Sequence, residues 1–122
     1  VVHGRDGLDE ITIAAASRVA EVSGDGEVRV FDVSPEDFGL EQRSLDGLSG
    51  GDAEANARLI REVLEGVRQG AARSLVIANA AAALYVGGLA DNLLEAARMA
   101  GASIESGAAV AKLEELVRAT NA

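Results

Sequence analysis

Two hydrophobic periods divide the chain. Apolar and polar residues alternate through its first third and recur at helical spacing afterwards. Val1-Val2-His3 reads as a short apolar strand that ends at Gly4. Arg18 to Val22 alternates like a half-buried strand, Ser23-Gly24-Asp25-Gly26 breaks the run, and Glu27 to Val33 alternates again. Two such runs joined by a Gly/Asp turn predict a β-hairpin, with Val28, Val30 and Val33 or Phe31 facing a core according to register. Ser34 to Gly39 has the form of one helical turn, with Ser34 as N-cap, Pro35 in the first position and Gly39 as terminator.

Helical periodicity takes over past the polar stretch that ends at Gly51. Asp52 is placed to cap a helix from about Ala53 to Glu65, whose Ala57, Ile60, Val63 and Leu64 form one apolar stripe, and Gly66 and Gly70 bracket its exit. The segment from about Arg73 to Val86 is apolar all round, which predicts a central helix buried on most sides. Two more helices follow, from about Asp91 to Ala102 with Leu93, Leu94 and Ala97 in phase, and from about Ser106 to Ala119 with Val110, Leu113, Leu116 and Val117 in phase. A short strand and hairpin followed by about four packed helices is an α/β arrangement. Its 122 residues suffice for one domain that buries roughly two thirds of its unfolded surface.

Composition sharpens this picture. With two Phe, one Tyr and no Trp, the core has to be built from Ala, Val, Leu and Ile, so its helices are expected to approach closely. Twenty acidic against 11 basic residues give a net charge of -9, and the basic residues are scattered from Arg5 to Arg118, which argues against nucleic acid and anionic membrane as partners. The absence of cysteine excludes a disulfide framework, a thiolate nucleophile and a cysteine metal site. The longest apolar run, Leu75 to Ala90, is broken by Asn79 and Gly87-Gly88 and falls short of the ~20 residues that span a bilayer. An opening on Val1-Val2 without a polar lead-in predicts that the chain enters in mid-strand, as a segment of a larger domain.

The residues with chemical potential gather after the first strand. Asp6-Gly7-Leu8-Asp9-Glu10 reads as a loop at that strand's carboxyl end, the edge at which open α/β sheets bind ligands. Adjacent carboxylates on a loop suit a hard cation such as Mg²⁺, which takes oxygen ligands at 2.0–2.1 Å and usually one or two carboxylates. Taken alone, an Asp-Glu pair in an acidic chain reads as a solvated loop or a cap.

Several segments, in order, are similar to anthranilate phosphoribosyltransferases. Val1 to Glu10 resembles that family's segment ending in an invariant Asp-Glu, and Pro35-Glu36-Asp37-Phe38-Gly39-Leu40 its Pro-Glu-Asp-Phe-Gly-Leu turn. Gly50 to Ala57 resembles its Gly-Gly-Asp-x-x-x-Asn-Ala helix start, Asn79 to Leu84 its Asn-Ala-Ala-Ala-Ala-Leu helix, and Ser106 to Leu113 its closing Ser-Gly-x-Ala-x-x-Lys-Leu helix. The resemblance implies that residues 1–122 are the C-terminal part of a phosphoribosyltransferase α/β domain. It implies a cytoplasmic enzyme of tryptophan biosynthesis, a homodimer in complete form, that moves the phosphoribosyl group of phosphoribosyl pyrophosphate onto anthranilate. Asp9 and Glu10 are then the Mg²⁺ ligands, the only site residues the resemblance carries over.

The family's Gly-Thr-Gly-Gly-Asp phosphate loop, its Lys-His-Gly-Asn-Arg segment, its anthranilate-contacting arginine and its helical N-terminal domain have no counterpart here, so the chain alone is expected to be inactive. Gly50-Gly51-Asp52 lacks the preceding Gly-Thr and reads as a helix cap. Two alternatives stand beside this reading: a fragment related to pyrimidine nucleoside phosphorylases, or a non-catalytic piece that docks on a separate N-terminal portion. His3, the single histidine, is expected to position the acidic loop rather than to move protons. Asn79, in an apolar helix, is expected to satisfy loop backbone, with ligand contact as the other reading. Tyr85 and Met99 read as core, and Lys112 as a surface cation.

Overall fold

In the computed structural model, which describes residues 1–122, backbone hydrogen bonds turn the alternating opening into a three-stranded antiparallel sheet. Strands β1 (Val2–Gly4), β2 (Ser17–Val22) and β3 (Val28–Val33) lie in that order, with His3 opposite Arg18, Val19 opposite Phe31 and Ala20 opposite Val30. Gly26 closes the hairpin at φ +85°, its N–H donating to the Ser23 carbonyl at 2.9 Å, a left-handed position that favours glycine.

Register settles the face that the sequence leaves open. Val33 is buried and Phe31 half-buried, on the side that looks toward the helices. Val28 and Val30 are 60% and 58% exposed, on the outer face. Strand side chains alternate in direction, so one register cannot bury both sets.

After β3 the chain leaves the sheet through a 3-10 turn, Pro35–Phe38. The Asp37 carboxylate accepts the Ser34 N–H at 2.7 Å, and Gly39 ends the turn at φ +70°. Four helices follow: α1 (Ala53–Leu64), α2 (Ala71–Val86), α3 (Leu93–Glu105) and α4 (Ala108–Thr120). Asp52 caps α1 by accepting the Ala55 N–H at 2.8 Å, and Asn92 caps α3 by accepting the Glu95 N–H at 2.9 Å. Both helices lie within a few residues of the expected segments; α2 starts at Ala71 rather than Arg73, and α3 runs to Glu105 rather than Ala102.

The close approach expected of small side chains occurs between α2 and α3. Ala78, Ala81 and Ala96 are wholly buried there, with Ala97 and Ala100 nearly so, and Ile77 and Ile104 fill the remaining space. Arg73 of α2 reaches Glu105 of α3 at 2.9 Å. The same cluster takes in Phe38 and Val33, and also Ile11 and Ile13 from the β1–β2 loop. That loop is therefore part of the core at its base.

Three expectations are corrected. Helix α1 buries only Val63 fully and leaves Ala57 and Ile60 exposed, so its burial is concentrated toward its C-terminal half, with Leu59 and Leu64 half-buried. Helix α2 is well packed over its first three turns, but Val86 at its end is 75% exposed. Met99 is 40% exposed rather than core, since Ala96, Ala97 and Ala100 take the α3 face that meets α2. Lys112 is a surface residue, paired with Glu115 one turn along α4. No helix is long and apolar enough to cross a membrane.

Candidate metal-binding loop

The chain between β1 and β2 passes over the end of the sheet and returns, with Asp9 and Glu10 at its tip. Its two ends are joined by the Arg5 N–H, which donates to the Ala16 carbonyl at 2.9 Å. A tight turn precedes the tip: the Gly4 N–H donates to the Leu8 carbonyl at 2.8 Å and the Gly7 N–H to the Gly4 carbonyl at 3.0 Å, with Gly7 at φ +98°. Gly4 is required by crowding, since a Cβ there would stand 2.4 Å from Asp6 Oδ1 and 3.1 Å from both Leu8 and Thr12 side chains.

Asp6, Thr12 and Ser17 form the base of the loop. Asp6 Oδ1 accepts the Leu8 N–H at 3.2 Å, and Asp6 Oδ2 accepts the Thr12 hydroxyl at 2.6 Å. Thr12 Oγ1 in turn accepts the Ala14 N–H at 3.0 Å, while the Thr12 N–H donates to Ser17 Oγ at 2.9 Å. The Thr12 hydroxyl outweighs partial desolvation of Asp6 and, helped by the Leu8 N–H, holds its carboxyl below the usual carboxylate range.

The far side of the tip is held by the helices and by the segment after β3. Asn79 of α2 accepts the Ile11 N–H and donates to the Ile11 carbonyl, both at 2.9 Å, and donates also to the Leu75 carbonyl at 3.0 Å. The backbone-satisfying role expected of Asn79 is therefore the observed one. Arg43 N–H donates to the Ile13 carbonyl at 2.8 Å, and Gln42 Nε2 to the Ala14 carbonyl at 2.6 Å.

On this fixed base the side chains of Asp9 and Glu10 are exposed, and neither enters any of the ion pairs. No group of three or more acidic or histidine side chains surrounds them. Two free carboxylates without a third protein ligand match the donor set that Mg²⁺ commonly takes, in which substrate phosphates and water supply the rest. The positional argument from parallel sheets drops out, because this sheet is antiparallel.

His3 does not perform its expected part. It lies in β1 opposite Arg18 with an exposed side chain outside every hydrogen bond, and the loop is held instead by Asn79, Asp6 and Thr12. Of these, Asp6 and Thr12 escape sequence reasoning. The usable signal was a carboxylate and a hydroxyl flanking the pair at short range, a spacing common in ordinary turns.

Behind the loop an apolar groove of about 640 Å³ opens between the inner face of the sheet and the last turns of α2. Val2, Val19, Phe31, Ala82 and Val86 border it. Glu21 spans its end, accepting from Tyr85 Oη at 3.3 Å and from Arg29 at 2.7 Å, so the half-buried Tyr85 ring packs on the edge of the core while its hydroxyl reaches the sheet.

Residues 1–110 match the family described as glycosyl transferase family, a/b domain. The anthranilate phosphoribosyltransferase of Rubrobacter xylanophilus is 54% identical over 118 residues, covering 97% of this chain and 34% of its own, and that of Azorhizobium caulinodans is 53% identical over 122 residues, or 35% of its length. The fold matches crystalline anthranilate phosphoribosyltransferase of Thermus thermophilus with a TM-score of 0.86 at 36% identity, over all of this chain and 35% of that one. It also matches the Saccharomyces cerevisiae enzyme in complex with PRPP and Mg, with a TM-score of 0.81 at 28% identity, over 93% of this chain and 32% of that one. The chain thus spans about a third of the length of these relatives. On the fold, the order of its motifs and these matches, it belongs to the glycosyl transferase family, a/b domain, and is similar over about a third of their length to the anthranilate phosphoribosyltransferases.

Proposed function

We propose that this chain is the C-terminal segment of the catalytic domain of an enzyme that moves the 5-phosphoribosyl group from phosphoribosyl pyrophosphate to anthranilate, and that Asp9 and Glu10 are its magnesium ligands. The observation that carries the reading is the pair itself: two exposed, unpaired carboxylates on a tip whose backbone is tied on both sides. Support comes from the S. cerevisiae relative solved with PRPP and Mg, and from a variant of it solved with Mg bound.

Magnesium, when bound, supplies charge neutralisation for the departing pyrophosphate. The chain's own contribution is positional. Asp9 and Glu10 offer oxygens at one place, and the Asp6, Thr12 and Asn79 hydrogen bonds keep that place fixed while substrate arrives. Proton transfer falls to none of these residues, since the anthranilate amine is already nucleophilic.

The test is a chimera in which this chain replaces the matching third of the R. xylanophilus enzyme, assayed by loss of anthranilate fluorescence. Changing Asp9 and Glu10 together to Ala lowers turnover and raises the magnesium concentration needed for half-maximal rate. Unchanged magnesium dependence refutes the assignment. The isolated chain is expected to show no transfer. The open apolar groove favours one further reading, that the chain docks on a separately supplied N-terminal portion; mixing the two pieces restores activity if this is so.

A further inference from the structure

We propose that Asn79 is the positioning residue of the acidic loop, gripping both backbone polar groups of Ile11 from helix α2 and so fixing where the Asp9 and Glu10 carboxylates stand. The inference rests on the reading of that pair as a magnesium site. Because neither carboxylate is held by a side-chain partner, anything that fixes them has to act through the backbone, and Ile11 is the residue joined to Glu10.

The geometry suits that task. Asn79 Oδ1 accepts the Ile11 N–H and Nδ2 donates to the Ile11 carbonyl, each at 2.9 Å. A single bond would leave a swivel, whereas two antiparallel bonds to one residue define orientation as well as distance. The third bond, from Nδ2 to the Leu75 carbonyl at 3.0 Å, locks the amide to its own helix. It also decides the amide's orientation, since a flipped group would set NH₂ against an N–H and oxygen against two carbonyls. The anchor is stiff: adjacent Ala78 is wholly buried against α3 and Ile77 nearly so.

Plain satisfaction of a buried backbone group is the competing account. Elsewhere in the loop the N–H groups find local acceptors, Ser17 for Thr12 and Thr12 for Ala14, and the Arg43 and Gln42 bonds reach one carbonyl each, of Ile13 and Ala14. Ile11 alone has both its backbone polar groups taken by one side chain, 68 positions away on the element that packs most closely on α3. This ties the tip to the core rather than to itself.

The experiment is NMR on the ¹⁵N-labelled 122-residue chain. In wild type, Mn²⁺ used as a paramagnetic stand-in for Mg²⁺ broadens the amides of Leu8 to Ile11 first, and Asp9 and Glu10 amides have order parameters near the ~0.85 of rigid backbone. Asn79→Ala drops those order parameters toward ~0.6 while α3 and α4 stay rigid. It also raises the Mn²⁺ concentration for half-broadening roughly tenfold, the scale on which loss of a ligand-orienting partner acts. A tip that stays rigid, or that loosens with unchanged Mn²⁺ response, overturns the proposal. Asn79→Asp, which keeps the acceptor but loses the donor, is expected to do the same and serves if the Ala variant does not fold. Amide exchange of Ile11 in wild type needs no variant: protection equal to that of α2 amides is expected, and exchange at the rate of an open loop overturns the clamp. Failure of the magnesium reading looks different, as absence of selective broadening at the tip in wild type, and leaves order parameters and exchange to decide the clamp.

Discussion

Replacing Thr12 with Val removes the hydroxyl that joins the two halves of the loop while keeping its volume. Thr12 is 1% exposed, so no water reaches the vacated position without local opening. The hydroxyl donates to the Asp6 carboxylate at 2.6 Å and accepts the Ala14 N–H at 3.0 Å. A hydrogen bond to a charged group contributes about 1.5–3 kcal/mol. Asp6 itself is open to solvent, which resolvates it after the change and screens the loss, so the lower end applies to that bond. The half-buried Ala14 N–H, left without its partner, adds a fraction more. The expected cost is about 2 kcal/mol, or a fall in Tm of roughly 8 °C.

The pH dependence carries the decisive sign. The Thr12 bond holds Asp6 below the usual carboxylate range in the folded chain, so its stabilisation is present above the unfolded value, about 3.9, and is lost as pH falls through the lower folded value. Thr12→Val returns Asp6 toward its ordinary range and removes this contribution at every pH. Urea unfolding from pH 7 downward should therefore show the wild type losing stability more steeply than the variant below about pH 4, and the gap between them narrowing. A cost under about 0.5 kcal/mol at pH 7, or a gap that does not change with pH, refutes the argument.

Two further outcomes test parts of the fold that the loop depends on. Asp52→Ala removes the acceptor for the Ala55 N–H and is expected to cost about 1 kcal/mol, read as faster amide exchange in the first turn of α1, with the Mn²⁺ response of the Asp9-Glu10 tip unchanged. A changed response would revive Gly50-Gly51-Asp52 as part of a ligand site. Gly39→Ala is expected to cost about the 1–2 kcal/mol of a left-handed alanine, with the Leu94 side chain shifting to make room for the Cβ; thermal unfolding measures it, and an unchanged Tm contradicts the left-handed turn at Gly39.

Local chemistry was the legible part of the sequence. The hairpin, the Ser34–Gly39 turn and the Asp52 cap follow from interactions within a few residues, and each appears where the pattern puts it. Burial was less legible. Ile60 and Val63 look alike in the sequence, yet Val63 is wholly buried and Ile60 half-exposed, because only the tertiary docking of α1 decides which of its apolar positions is covered. Val28 and Val30 alternate as strongly as Phe31 and Val33, and only the pairing with β2 decides which set turns inward. The pair Asp9-Glu10 was visible as a motif and Asn79 as a residue that satisfies loop backbone, but that the loop is the same one was not, since no spacing connects Asn79 to Ile11.

The distribution of hydrogen bonds in the loop bears on how such a pair would serve a metal, as proposed above. A carboxylate fixed by direct hydrogen bonds gives its lone pairs to those donors, and a cation has to displace them before it binds. A carboxylate on a loose loop keeps its lone pairs free but loses conformational entropy on binding, for backbone and side chain alike. Here the bonds fall on Ile11, Thr12, Leu8 and Asp6, one to three residues from the pair, and the pair's own oxygens stay free. The backbone entropy is thereby lost on folding rather than on binding, and only the side-chain rotamers remain to be ordered. Under the proposed reading, with two protein ligands that would each contribute little alone, such preordering is what would separate a site for a phosphate-bound cation from a solvated acidic turn.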